Sequence, residues 1–324
     1  MKKIIFICMF LTLLTSSVLL ADTGKGGGPA PQLQFNMSAR AMGMGGAFAA
    51  ISNDAIGMFY NPAGTAQMEW NSTSATYRKL DFDRRFGIIT GSFKAREMAS
   101  ISLGWIHASD GNFIGRDNEG DLTGEDLSWS SNIIGLCFAR SFGKYLYLGA
   151  TGKYYVTKLV NLSVNTVEFD LGAMLSLNRN NTFGPESFFD EVRFGLVVKN
   201  LAGTDRWNTG DYYSQFGGIG VSIQEDHLLA VRVGTSALFL NRSVLVGLDF
   251  EKYEDQDIRI SAGGEYLYNN MFALRAGYAD GRMAIGGGII KSFIYYNLSV
   301  DYAFASAVDG EAPDHLFTIG FAFR

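Results

Sequence analysis

The 324-residue chain contains 39 glycines and 5 prolines, is 47% hydrophobic and 18% charged, and has a net charge of −5 at pH 7. This acidic balance excludes the broad basic surface of a nucleic-acid-binding protein, so no nucleic-acid partner is expected. Its two cysteines are Cys8 and Cys137. If Cys8 is removed with the N-terminal segment, no intrachain disulfide can form, and packing and backbone pairing must supply the stability.

The first 21 residues have the layout of a secretory signal peptide. Lys2 and Lys3 precede an apolar run from Ile4 to Leu20, and Ala21 follows it. Cleavage is predicted near Ala21, and the alternative is an uncleaved anchor. Residues 22–31, DTGKGGGPAP, are predicted to form a flexible leader.

Residues 32–68 mix glycine, alanine and methionine with two turn signals, at residues 52–54 and at Asn61-Pro62. The segment lacks the length and the alternation of wall strands, yet it contains many apolar residues that need burial. In a barrel of about fourteen strands the lumen is too wide for wall side chains to fill. We therefore expect residues 32–68 to form an N-terminal hatch inside the lumen.

From residue 70 onward the dominant pattern is period-2 alternation, interrupted by clusters of Gly, Asn and Asp. In FIYYNLSVDYAF, alternate residues from Ile294 to Phe304 are apolar, whereas the other face is largely polar or small. RSVLVGLDFE and the closing HLFTIGFAFR show the same division. Strands of about ten residues, aromatics at strand ends and charges on the inner face favour an all-β, transmembrane outer-membrane β-barrel over a secreted soluble β-protein.

The alternating runs give fifteen candidate strands between residues 70 and 324. They are 70–80, 84–94, 99–109, 127–142, 145–160, 165–178, 191–202, 214–223, 227–239, 242–252, 257–268, 272–281, 284–292, 293–305 and 315–324. A single-chain bacterial barrel needs an even number, so we place 214–223 in a long outer loop, 204–226, and predict fourteen antiparallel strands within residues 69–324.

This arrangement also assigns the connections to the two ends of the barrel. Tight connections, such as those from Tyr268 to Phe272 and from Lys291 to Ser292, then face the periplasm. The acidic connections 110–126, 251–257 and 306–314 face outward, and 179–190 is left as a long periplasmic turn. Aromatic residues near strand ends, among them Trp105 and Tyr155, are predicted to form interfacial girdles.

The register of one hairpin can be predicted from its turn and its alternating pattern. A three-residue turn at 269–271 places Glu265 opposite Arg275, and it keeps the apolar residues on one face. Gly263 then lies across from Gly277, which leaves space in the lumen beside the ion pair. We interpret the pair as structural, with contact to a ligand as the alternative.

The sequence shows no arrangement typical of a catalytic or metal site. His107, His227 and His315 lie far apart without metal-ligand spacing, and residues 43–46 lack the Lys-Ser or Lys-Thr of a phosphate-binding loop. The acidic segment 110–126 does not match a calcium-binding loop and is predicted to be solvated, with divalent-cation binding as the alternative. We therefore expect no enzyme activity, no metal and no cofactor.

Three runs resemble the PorV/PorQ family of outer-membrane proteins. They are SARAMGMGGAFAAISNDAIGMFYNPAG, GGEYLYNNMFALRAGY and DYAFASAVDGEAPDHLFTIGFAFR. Through residues 61–64, Asn-Pro-Ala-Gly, the chain more distantly resembles FadL-type channels for long-chain fatty acids. The resemblance implies a fourteen-stranded barrel with an N-terminal hatch, in which Asn61-Pro62 makes a turn and Gly64 allows close approach to the wall.

Two functions remain open at this point. The first is hatch-gated binding or passage of a hydrophobic small molecule, in a pocket lined by Met42, Met44, Phe48, Met58 and Phe59. The second, which the PorV/PorQ resemblance suggests, is a type IX secretion component whose outer loops hold secreted proteins or partner subunits. Outer-membrane lipid surrounds the barrel in both. We favour the first function because the hatch pattern belongs to the residues themselves.

Overall fold

A computed structural model describes residues 30–79, 84–96, 98–116, 119–178, 182–184, 187–210, 219–254, 256–307 and 312–324. The predicted signal peptide and most of the predicted leader lie outside the described residues. The strands are β1 Asn71–Lys79, β2 Arg85–Arg96, β3 Ala99–Arg116, β4 Leu122–Phe142, β5 Leu146–Leu159, β6 Leu162–Asn178, β7 Phe189–Leu201, β8 Thr204–Asn208, β9 Ser222–Asp226, β10 Ala230–Phe239, β11 Val244–Tyr253, β12 Ile258–Tyr268, β13 Phe272–Ala279, β14 Arg282–Ser292, β15 Tyr296–Ala305 and β16 Asp314–Phe323.

Fourteen of these strands form a closed antiparallel barrel. Neighbours in the chain are neighbours in the wall, β7 pairs with β10, and β16 pairs back with β1 to close the ring. Strands β8 and β9 form a separate two-stranded sheet. The predicted strand number is therefore confirmed, and the described residues of the stretch 204–226 contribute no wall strand. We call the end where β1 begins and β16 ends the terminal end, and the opposite end the loop end.

Some predicted boundaries were wrong. The acidic segment 110–126 is mostly strand, because β3 and β4 stay paired as far as Arg116 and Leu122, with register shifts that accommodate the irregular sequence. The turn predicted at Lys291 to Ser292 lies at residues 293–295, where the Phe293 N–H donates to the carbonyl of Tyr296 at 2.8 Å.

The predicted division into two faces is confirmed. Leu298 and Val300 point outward and are exposed, whereas Asp301 and Ala303 point inward and are buried. Many large apolar side chains are exposed on the outer face of the wall, among them Leu103, Leu136, Leu171, Leu274 and Ile319. Such a surface is stable in hydrocarbon and costly in water. Among the described residues, no helix is long and apolar enough to cross a bilayer.

Residues 30–68 lie inside the ring of strands, and we call this segment the hatch. It contains the helix α1, Ala39–Gly43, and three 3-10 turns at Pro31–Gln34, Ala55–Phe59 and Pro62–Gln67. Ser38 caps α1 by accepting the Ala41 N–H at 3.1 Å. Helix α1 packs against β13 to β16, the second turn against β1 to β3, and the third against β3 to β6.

Candidate functional site

The hatch rests on inward-facing glycines from ten strands of the wall, which we call the glycine seat. Its members are Gly104, Gly135, Gly149, Gly172, Gly195, Gly234, Gly247, Gly263, Gly277 and Gly286. A Cβ atom at Gly263 would overlap the Met44 backbone, and one at Gly195 would overlap the Ala49 carbonyl. The hatch backbone therefore touches the wall backbone, which only glycine permits.

The glycine seat corrects two expectations. Gly263 does pair with Gly277, as the sequence predicts, but the space beside them is filled by the backbone of Met44 and Gly45. Gly64 faces Ser52 within the hatch rather than the wall, since a Cβ there would overlap the Ser52 carbonyl.

Charged wall residues hold the hatch backbone on one side. The Asp249 carboxylate accepts the N–H groups of Phe48 at 2.7 Å and Ala49 at 2.8 Å, and it accepts Arg232 Nε at 2.9 Å. Arg232 also donates to the Gly46 carbonyl. Because Asp249 and Arg232 are both buried, each charge depends on these partners.

Asn61 connects three pieces of backbone. Its Nδ2 donates to the carbonyls of Ala49 at 2.7 Å and Ala173 at 3.2 Å, and its Oδ1 accepts the Ala63 N–H at 3.1 Å. Pro62 begins the 3-10 turn that Asn61 caps. This pair therefore fixes the hatch to the wall in addition to turning the chain.

Glu265 and Arg275 belong to a chain of ion pairs that includes the hatch. Arg275 donates to Glu265 at 2.6 Å and to Asp301 at 2.6 Å, and Arg40 of the hatch donates to both oxygens of Glu265 at 3.0 Å. Burial opposes the charge of Arg40, but Glu265 and Asp54 outweigh it and raise the Arg40 pKa above its ordinary value. Because both oxygens of Glu265 are engaged, the arrangement favours a structural role over contact with a ligand.

The predicted ligand residues are buried but do not surround one cavity. Met42 packs with Ala284, Ala303 and Leu316, Met44 lies on the glycine seat, and Phe48 contacts Tyr60 with ring centres 5.0 Å apart. Met58 and Phe59 lie against Gly104 and Gly135, on a different part of the wall. A cavity of about 80 Å³ borders Phe59 and Tyr60, but Lys199, Arg232 and Glu251 also line it.

The inner wall is divided by charge, and this division is not among the features predicted from the sequence. One part of β2, β3 and β4 is lined by neutral residues, and we call it the uncharged sector. Its inward-facing residues are Phe86, Ile88, Thr90, Ser92, Ser100, Ser102, Gly104, Ile106, Ala108, Ser131, Ile133, Gly135, Cys137, Ala139 and Ser141. The other strands of the inner wall carry charged residues: Arg78 of β1, which pairs with Asp314 of β16, and then Lys153, Glu168, Asp170, Glu191, Arg193, Lys199, Arg232, Asp249, Glu251, Arg259, Glu265, Arg275 and Asp301 from β5 to β15.

The uncharged sector changes character along the barrel axis. Its loop-end half is apolar apart from Ser131, which accepts a hydrogen bond from Gln32 of the hatch at 3.0 Å. The hatch residue Phe35 covers this half, with its ring centre 5.8 Å from that of Phe86. Its terminal-end half is rich in hydroxyl groups, and Ser92 donates to Ser102 at 2.6 Å. The hydroxyls of Thr65 in the hatch and Ser100 in the wall share a hydrogen bond of 2.9 Å.

A second buried cluster ties the β8–β9 sheet to the wall at the loop end. His227 lies 2.6 Å from Glu168 of β6 through Nδ1 and 3.1 Å from Asp205 of β8 through Nε2. Burial opposes the charge of His227, but hydrogen bonds and charges from Asp205 and Glu168 outweigh it and raise the His227 pKa to about 9. Tyr155, predicted in an outer girdle, points inward and donates to Glu168. Its position in the alternation, in phase with Lys153, could have indicated this.

No protein-family model and no curated protein matches the chain. Solved structures do: a FadL homologue from Pseudomonas aeruginosa has a TM-score of 0.60 at 11% identity, covering 89% of this chain and 98% of that one. The toluene transporter TodX from Pseudomonas putida has a TM-score of 0.56 at 13% identity, and the match covers 88% of this chain and 97% of that one. The toluene transporter TbuX from Ralstonia pickettii has a TM-score of 0.54 at 14% identity, and the match covers 89% of this chain and 98% of that one. At these identities the likeness is one of fold. The chain is an outer-membrane β-barrel with a FadL-like fold.

Proposed function

We propose that this protein is an outer-membrane channel for a hydrophobic small molecule, gated by its N-terminal hatch. The observation that carries the proposal is the uncharged sector, because an apolar surface inside a barrel is unlike the polar lumen of a water-filled porin. Two of the similar structures, TodX and TbuX, are named as toluene transporters, and transport of a solute needs no catalytic group or cofactor.

Movement of one part of the hatch, and not of the whole hatch, would provide the path. The glycine seat and the hydrogen bonds of Asp249, Arg232 and Asn61 hold the hatch against the charged side of the lumen. The hatch covers the uncharged sector mainly by apolar packing, which can rearrange at lower cost.

The residues predicted to contact a ligand divide into two groups in this proposal. Met58 and Phe59 border the uncharged sector and would contact the solute. Met42 and Met44 lie farther from the sector and would hold the hatch in position, together with Asn61, Pro62 and Gly64. The Phe48 ring lies beside the Arg40 guanidinium on the charged side of the lumen and belongs to neither group.

The test is uptake of a neutral hydrophobic dye by intact cells, because lipopolysaccharide slows the entry of such molecules. Cells that produce the barrel should take up N-phenyl-1-naphthylamine faster than cells that lack it. Ile133→Asp, which adds a charge to the uncharged sector, should abolish the gain. Val197→Asp is the matched control, since Ile133 and Val197 are both fully buried inward-facing residues. Equal uptake with and without the barrel would refute the proposal.

A second candidate function is that of a type IX secretion component. It is favoured by the resemblance to PorV/PorQ proteins and by the length of the β3–β4 hairpin, which extends beyond β2 and β5. The exposed side chains of Ile114 and Leu122 lie on this hairpin. Photocrosslinking from these two positions in the native host should recover a secreted protein or a partner subunit. A genome without other type IX components, and without cargo carrying matching C-terminal domains, would eliminate this role.

A further inference from the structure

We infer that Phe59 is the gate of the uncharged sector and that the sector admits neutral solutes in preference to carboxylates. The inference rests on the proposed function, from which it takes the hydrophobic solute. It adds the residue that blocks the path and the charge class of the molecule that passes.

The Phe59 ring fills the gap between the hatch and two paired wall glycines. Gly104 of β3 and Gly135 of β4 are register partners. A Cβ at Gly104 would lie 2.7 Å from Cε2 and Cζ of Phe59, and a Cβ at Gly135 would lie 2.9 Å from Cε1. Met58 closes the remaining space, with Sδ 2.9 Å from the first position and Cε 3.0 Å from the second. The ring therefore packs directly against the backbone of both strands.

Phe59 separates the two halves of the uncharged sector. On the loop-end side, the next inward-facing pair in the register is Ile106 and Ile133. On the terminal-end side, the next pair is Ser102 and Cys137. A solute that follows the sector passes from apolar wall to hydroxyl-lined wall at the position of Phe59.

The contacts of Phe59 also make it the movable element. Its side chain is held by packing alone, since a phenyl ring has no hydrogen-bonding group. The Met58 carbonyl next to it accepts Thr151 Oγ1 at 2.9 Å, which keeps the backbone in place while the ring changes rotamer. Phe48 is also fully buried, but it lies on the charged side, with the Arg40 guanidinium 5.5 Å from its ring centre.

The charge class follows from the residues of the uncharged sector. A carboxylate passing over Ile106 and Ile133 would lose its water, and the inward-facing residues of the sector offer it no charged partner. That transfer is strongly unfavourable without a compensating partner, whereas a neutral aromatic or aliphatic molecule gains from it. The hydroxyls beyond Phe59 can accept or donate hydrogen bonds but cannot neutralise an anion.

Cys137 provides a native reporter of the gate, because its buried thiol lies one register pair beyond Phe59. Intact cells would be treated with neutral methyl methanethiosulfonate or with its anionic sulfonatoethyl analogue, and the peptide containing Cys137 quantified by mass spectrometry. For Phe59→Ala we expect about tenfold faster labelling by the neutral reagent, and slow labelling by the anionic reagent. Phe59→Leu should fall between Phe59→Ala and the wild type, and Phe48→Ala should match the wild type.

Unchanged labelling in Phe59→Ala, or an equal increase in Phe48→Ala, would overturn the gate. Equal labelling by the two reagents would overturn the preference for neutral solutes. Heat-modifiable gel migration establishes that each variant is folded, and Phe59→Leu carries the test if Phe59→Ala does not fold. Labelling does not depend on dye uptake: faster labelling in a barrel that takes up no dye would retain the gate and reject the proposed function.

Discussion

Asp249 is the residue at which wall and hatch depend most directly on each other. Replacing it by alanine leaves the Phe48 and Ala49 N–H groups and the Arg232 guanidinium without their carboxylate. We expect the opening free energy of residues 46–50 to fall by about 2–4 kcal/mol, measured by hydrogen exchange. Asp226→Ala is the control, since Asp226 is exposed on β9. Unchanged exchange at residues 46–50 would mean that the glycine seat alone holds the hatch.

Contacts at this scale could be predicted only where the partners are neighbours in a hairpin. The register of Glu265 and Arg275 follows from a short turn and an alternating pattern, and it is confirmed. The Asp249 contacts to the hatch join residues about 200 positions apart. Nothing in the local sequence distinguishes Asp249 from the other inward-facing acids, so its role depends on where the hatch folds.

The attachment of the β8–β9 sheet to the wall depends on pH, because His227 connects the two. The His227 pKa is about 9 in the folded protein, above its ordinary value of 6.5. The stabilisation is therefore full below about pH 6.5 and is lost as the pH rises through about 9. Cleavage by trypsin after Arg206 in β8, normalised to a model peptide, should accelerate over that interval. In His227→Gln, which stays neutral, the step should disappear, and its persistence would show that His227 is not the group that titrates.

The hatch shows how far an element can be predicted from composition. Its existence follows from apolar residues that lack strand alternation, and the lumen of a fourteen-stranded barrel gives them a place. The seat could not be recognised in the same way, because glycine in a strand also marks bulges and bends. The role of Gly195 and Gly263, which is to let the hatch backbone contact the wall, can be recognised only once the position of the hatch is known.

At the scale of the whole molecule, the strand number could be predicted because an even count is a constraint on closure. The division of the lumen into charged and uncharged parts could not be predicted from single strands. Each strand taken alone alternates in the same way, and neutral residues such as Ser102 and Ile133 become a continuous surface only when β2, β3 and β4 are neighbours. That surface, rather than any one residue, carries the proposed function.

The same architecture predicts where the apolar exterior tolerates a charge. Val300 and Tyr296 share the outer face of β15, four residues or about 13 Å apart along the strand, and Tyr296 begins the strand at the terminal end. Relative to alanine at the same position, arginine at Val300 should cost about 2–4 kcal/mol of folding free energy in bilayers, whereas arginine at Tyr296 should cost about 0–1 kcal/mol. The comparison with alanine removes the lost stacking of Tyr296 on Phe293, 4.5 Å between ring centres. Equal costs at the two positions, measured by denaturant titration, would show that the hydrocarbon layer is not centred on the wall as this barrel requires.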